Sequence, residues 1–169
     1  MNDTQLNSNL EETPVHFRHY AREWAMQFLF QYDLSEFENT ETAIKTFSEE
    51  VRDSDFFKLP DMTQFRRTYK DALRLITGIL ENLETIDKHI VDFSANWTID
   101  RMDTVDRNIM RIAVYEMFFS MKVPPIVSIN EAVELGKKYG SPNTAPFING
   151  ILNSIKNTLQ RSAREAVKE

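Results

Sequence analysis

An all-α fold follows from three observations on the sequence. Apolar residues recur at the helical period of 3.6 through most of the chain. No segment alternates with the period of two that a strand requires. Glycine occurs only 4 times in 169 residues, against a usual share of about 7%. That scarcity argues against a turn-rich β fold and against glycine-rich phosphate loops. The length fits a single domain, and a chain of this size buries roughly 70% of its unfolded surface. About six or seven helices are expected.

The elements can be taken in order. Residues 1–14 are polar, carry Asp3, Glu11 and Glu12, and end at Pro14. They predict a disordered tail and contain no signal peptide, which leaves one helical domain over 15–165. Over 16–33 an apolar stripe runs through Phe17, Tyr20, Ala21, Trp24, Ala25, Phe28, Leu29 and Tyr32. A weaker helix is expected over 41–52, around Ala43, Ile44, Phe47 and Val51. Asp53-Ser54-Asp55 and then Leu59-Pro60 break it.

Residues 62–94 hold a second stripe, from Phe65 and Tyr69 through Ile76, Ile79 and Leu83 to Ile90. This stretch reads as two helices bent near Asn82. Gly78 lies inside the first of them, where glycine costs about 1 kcal/mol relative to alanine. A close helix crossing is the expected reason. Residues 104–121 are apolar on nearly every side, the mark of a central helix. The most apolar stretch, Ile112 to Met121, carries Glu116 and falls far short of the ~20 residues that span a bilayer.

Pro124-Pro125 should stop that helix. Ser128-Ile129-Asn130-Glu131 has the spacing of a capping box and predicts a helix start. That helix should reach Tyr139 and end on Gly140 as a C′ glycine. The last helix starts between Thr144 and Pro146 and turns Phe147, Ile148, Ile151, Leu152, Ile155 and Leu159 inward.

Composition narrows the function. Cysteine is absent, which excludes disulfides, thiolate metal sites and cysteine catalysis. Mean hydropathy is −0.44, and a cytoplasmic setting is expected. No Walker loop, dinucleotide fingerprint, nucleophile elbow or H-E-x-x-H occurs. His16 and His19 share a helix face without a third ligand, and His89 stands alone. No cofactor, metal or catalytic residue is expected, and the chain reads as a non-enzyme.

With 20 cations and 26 carboxylates the net charge is −6, which taken globally argues against nucleic acid. The acidity is concentrated: residues 33–61 hold nine carboxylates against three cations. Elsewhere Arg18, His19 and Arg22 stand beside Tyr20 at the start of the first helix. Basic groups interleaved with aromatics suit single-stranded nucleic acid, although a solvated face would look the same. Arg66, Lys70 and Arg74 form a further row at i, i+4 and i+8, with Asp71 beside it.

The order of motifs is more specific. Arg22-Glu23-Trp24-Ala25-Met26-Gln27 through Asp33-Leu34-Ser35 is followed by Asn96-Trp97 and Arg101-Met102. Next come Val105-Asp106-Arg107-Asn108-Ile109-Met110-Arg111-Ile112-Ala113-Val114-Tyr115-Glu116 and Val123-Pro124 to Asn130-Glu131-Ala132-Val133-Glu134-Leu135. Tyr139-Gly140-Ser141 and Phe147-Ile148-Asn149-Gly150-Ile151-Leu152 close the series. This order resembles the NusB family over most of residues 17–155.

The resemblance implies two small packed helical bundles and a bacterial transcription antitermination factor. It implies single-stranded boxA RNA of ribosomal RNA leaders as ligand, and NusE, a small-subunit ribosomal protein, as partner within the RNA polymerase antitermination complex. Arg18, His19 and Arg22 stand where the family's arginine-rich helix start lies, in a thinner form. The loop into the last helix reads Asn143-Thr144-Ala145-Pro146-Phe147, with Pro146 where a basic residue is common. The expected RNA site is Arg18, His19, Arg22, Arg101 and Phe147, with Arg22 and Phe147 acting together.

A related helical domain occurs fused to RNA methyltransferases, but the chain has no room for a cofactor-binding domain, which argues for the free-standing factor; a protein-interaction module that has lost most RNA binding stays open as the alternative. No membrane partner is expected. The apolar helix faces leave a homodimer open.

Overall fold

A computed structural model of the chain describes residues 14–167. The tail expected over 1–14 therefore lies, but for Pro14, outside the described residues. Seven α-helices are present among them: α1 (Pro14–Leu34), α2 (Thr40–Asp53), α3 (Met62–Glu81), α4 (Leu83–Asp92), α5 (Thr104–Tyr115), α6 (Pro125–Tyr139) and α7 (Thr144–Lys156). Single 3-10 turns at Asp55–Phe57 and Ile99–Arg101 and a π-helix at Glu116–Ser120 complete the chain.

Several boundaries have a local cause. The Asn39 side chain accepts from the Thr42 N–H at 2.9 Å and caps α2. The Asp61 carboxylate accepts from the Thr63 and Gln64 amides and caps α3. Asn82 makes the expected bend. Its backbone N–H turns to the Ile79 carbonyl, and its side-chain amide donates to the Gly78 carbonyl at 2.8 Å. Gly78 permits a close crossing: a Cβ there would stand 2.1 Å from the Tyr115 hydroxyl on α5.

Four expectations need correction. The helix foreseen over 104–121 changes to π geometry at Glu116 and ends on Met121, a left-handed residue with φ of 52°. The proline pair does not stop it; Pro125 is the first residue of α6 and Pro124 its N-cap. Ser128 therefore lies a full turn inside α6 rather than at its cap. Its hydroxyl is buried and has no hydrogen-bond partner. Gly140 is extended, with φ of −93°, and so is not a left-handed cap. Glycine is needed there for space, because a Cβ would lie 2.4 Å from the Thr144 hydroxyl.

One bundle gathers α1, α2 and α3 around an aromatic cluster. Trp24 meets Phe57 and Phe65 at 5.2 and 5.6 Å, and Phe28 meets Phe47 at 5.4 Å. The other gathers α4, α6 and α7 around α5, with Ile86, Ile90, Ile109, Ile148 and Leu152 fully buried. α1 packs on both α3 and α5, so a single core runs through both bundles. The motif Val105 to Glu116 turns out to be structural. Arg111 grips Asp87 with two bonds of 2.7 and 2.8 Å and reaches Asp33 at 2.9 Å. Arg107 adds a bond to Asp33 at 2.7 Å. These bonds tie the end of α1 to α5 and α4.

Candidate nucleic-acid interface

Arg18, His19 and Arg22 do not share one environment. Arg18 is exposed, its guanidinium 5.9 Å from the Phe17 ring. The His19 Nδ1 lies 2.7 Å from Glu131 of α6, and this hydrogen bond raises the imidazole pKa against the opposing effect of burial. Arg22 has only 4% of its side chain exposed. Its Nε donates to both Glu116 oxygens at 3.1 Å, and its other nitrogens lie 2.9 Å from Glu116 and 3.4 Å from Glu131. The guanidinium expected as an exposed cation is thus buried and paired with two carboxylates.

Trp97, Arg101 and Phe147 do come together. Ala95 and Asn96 are both left-handed, with φ of 46° and 77°. The Ser94 hydroxyl holds that turn, 3.0 Å from the Val91 carbonyl and 2.9 Å from that of Trp97. The turn leaves Trp97 49% exposed. Asp103 accepts from the Val105 N–H and starts α5, and the Thr144 hydroxyl donates to Asp106 at 2.7 Å. That bond fixes the start of α7 against α5. It sets Phe147 edge-on to Trp97, ring centres 6.5 Å apart.

The result is a cleft of about 620 Å³, lined by these rings, Arg101, Asn143 and the Asp100–Arg107 turn. Its charge is mixed. Arg107 is committed to Asp33, so exposed Arg101 faces Asp100, Asp103 and Asp106. Burial raises the Asp106 carboxyl pKa, against the lowering effect of the Thr144 bond. Such a cleft offers stacking faces more than phosphate neutralisation.

The two halves are not adjacent. His19 meets Glu131, while Glu23, one turn further along α1, accepts from Lys138 and from the Tyr139 hydroxyl. α1 and α6 therefore run parallel, and eight residues of α6, about 12 Å, separate the His19 contact from Tyr139. Arg22 is engaged by Glu116 and Glu131 and the Phe147 ring meets Trp97, and among the described residues no hydrogen bond or ion pair joins Arg22 to Phe147. Lys138, half-exposed between the two regions, was missed by sequence reading, as was Trp97. For Trp97 the Asn96-Trp97 motif held the signal; for Lys138 nothing did. No cluster of three or more acidic or histidine side chains suits a metal among the described residues. No helix there is long and apolar enough to cross a membrane.

The NusB family model matches residues 19–157. The transcription antitermination protein NusB of Pelotomaculum thermopropionicum is 44% identical over 138 residues, 82% of this chain and 88% of its own. That of Bacillus licheniformis is 39% identical over 143 residues, covering 85% and 98%. Among solved structures, T. maritima NusB superposes with a TM-score of 0.68 at 33% identity, covering 83% of this chain and 91% of its own. A crystal structure described as antitermination factors NusB and NusE in complex with dsRNA gives 0.68 at 27% identity, covering 85% and 98%. With the family's model matched over nearly the whole helical region and these relatives aligned almost end to end, the chain belongs to the NusB family.

Proposed function

We propose that this protein is a non-enzymatic transcription antitermination factor that binds boxA-type single-stranded RNA together with NusE. The observation that carries this reading is the cleft in which half-exposed Trp97 meets Phe147 beside exposed Arg101. Two aromatic rings next to a free guanidinium match what an unstacked base and its phosphate require. The relatives' shared name supports the process, and the solved complex of NusB, NusE and RNA supports the partners.

In this reading Phe147 and Trp97 stack on bases, while Arg18 and Arg101 meet phosphates. His19 joins them when protonated. Arg22 is a positioning residue that orients His19 through their common partner Glu131. The carboxylates of the cleft keep RNA binding by the protein alone weak, so NusE must add affinity.

The test is a titration of boxA-type RNA with and without NusE at two salt concentrations. Weak binding that NusE tightens is expected. Phe147→Ala should cost about 1–3 kcal/mol of RNA binding, the worth of one stacked base. Absence of RNA binding in both settings would overturn the reading. If NusE still bound in that case, the chain would be a protein-interaction module, the reading that the buried Arg22 favours.

A further inference from the structure

The outward face of α3 holds the row of cations that the proposed RNA site leaves unused. α3 carries four cations, Arg66, Arg67, Lys70 and Arg74, against two carboxylates, in a chain whose carboxylates exceed its cations by 26 to 20. Arg74 is committed: it donates to Asp71 at 2.9 and 2.8 Å and to the Ser120 hydroxyl at 2.9 Å. Arg66, Arg67 and Lys70 are exposed, and none forms an ion pair among the described residues. Arg66 and Lys70 stand one above the other on successive turns, about 5–6 Å apart at Cβ. A helix does not gain stability from like charges so placed, so the row is free for another use.

Partly exposed aromatic surface borders this face, where it meets the core. Phe65 and Tyr69 stack at 6.4 Å with their rings 12° apart, both half-buried. They share a shallow pocket of about 140 Å³ with exposed Arg52 of α2. On the other flank, Lys70 and Arg74 border an open groove of about 450 Å³ whose floor includes Tyr115. α3 is anchored by Phe65 against Trp24 and by Gly78 under Tyr115, so the face is a rigid platform. Unpaired cations on a fixed helix, interleaved with accessible rings, are complementary to the phosphates and bases of a single strand. A protein partner would need an acidic surface there, and the rings would then serve no evident purpose.

We propose that Arg66, Arg67 and Lys70 on α3, with the Phe65–Tyr69 pair beside them, form a second RNA contact that engages the strand outside the boxA-type segment. This rests on the RNA-binding reading above. It makes the chain a two-point RNA clamp, with sequence read at the Trp97–Phe147 cleft and phosphates held on α3 whatever the bases.

The test compares the parent with an Arg66→Gln, Arg67→Gln, Lys70→Gln variant, with NusE present. The two probes are a boxA-type RNA and the same RNA extended by an oligouridine run. The three side chains are exposed, so the variant should melt as the parent does. For the parent, the extension should tighten binding and steepen its salt dependence. The variant should lose that gain. Its slope of log K against log salt on the extended RNA should be shallower by about 2, at about 0.7 for each phosphate no longer neutralised. Its binding of the short RNA should be unchanged.

A variant equal to the parent on the extended RNA overturns the clamp and leaves the boxA reading standing. A variant that loses NusE with an unchanged salt slope also overturns it, making the face a protein contact. A parent that binds neither RNA overturns the RNA-binding reading itself.

Discussion

At Arg22 the buried guanidinium neutralises Glu116 and reaches Glu131, so truncation would strand a carboxylate away from water. Arg22→Ala should therefore cost about 3–5 kcal/mol, the usual loss when one member of a buried pair is removed. Urea unfolding measures it, and a loss below about 1 kcal/mol would mean the pair is solvated. The sequence placed Arg22 on a cationic surface because it lies outside the α1 stripe. That stripe is too narrow a guide: α1 packs on α3 and α5, its side chains bond to α6, and Ala21 to Met26 are all buried. Ser128 reverses its expectation in the same way. As a cap it would be missed, but its hydroxyl is buried without a partner. Ser128→Ala should raise stability by about 1 kcal/mol, since an unsatisfied hydroxyl leaves the core; a loss of that size would restore the cap. His19 sets a pH dependence. Its folded pKa is raised, chiefly by the Glu131 bond. Its contribution is complete below the unfolded value near 6.5 and fades as pH rises through the folded value. His19→Gln should flatten stability against pH in that upper range. An unchanged profile would show that His19 and Glu131 are not coupled.

Helices were legible in the sequence where an apolar stripe on one side is set against a polar, exposed remainder. α2, α3 and α4 appear close to their expected limits, including the bend at Asn82. The π-helix at Glu116–Ser120 was not legible, because its five residues continue the apolar pattern of α5 and only hydrogen bonding distinguishes it. The start of α6 was misplaced because a capping-box spacing also arises inside a helix when two polar residues face a neighbour. Glu131 does so toward His19 and Arg22. The cleft was half legible. Arg101 and Phe147 were named in advance, while Trp97 stood in a quoted motif whose exposure depends on the left-handed turn at Ala95 and Asn96. Gly78 gives a prediction at this scale. A Cβ would stand 2.1 to 2.5 Å from the Tyr115 hydroxyl and ring, so Gly78→Ala must push α3 from α5 or displace the ring. Overpacking of this kind costs about 1–3 kcal/mol. The double variant Gly78→Ala, Tyr115→Leu should recover part of that loss. Thermal melts of the two proteins would show it, and equal melting points would mean the crossing is not the source of the strain.

At the scale of the molecule, two bundles share one core, and this decides how the protein unfolds. Residues from α1, α3, α5 and α7 belong to one continuous buried cluster, and α5 contributes Ile109, Met110, Ile112, Ala113 and Val114 to it. Arg111 and Arg107 tie α5 to the far end of α1 through Asp33, and Arg22 ties it again near Glu116. Neither bundle can open without exposing apolar surface of the other, so a single cooperative transition is expected, as for most domains of this size. The two tryptophans report on different bundles. Trp24 is buried among Phe57 and Phe65 of the first, while Trp97 is half-exposed on Phe147 of the second. Variants keeping one tryptophan each, Trp97→Phe for the first probe and Trp24→Phe for the second, should give fluorescence transitions that each coincide with that variant's own loss of helical circular dichroism. Ile112 lies in α5 with 2% exposure, so Ile112→Ala should remove about 2–5 kcal/mol through lost burial and a residual cavity. Because the core is shared, that substitution in either background should shift the tryptophan and helix signals together. If Ile112→Ala moved only the Trp97 signal and left that of Trp24 in place, the bundles would be separate folding units and α5 would belong to one of them alone.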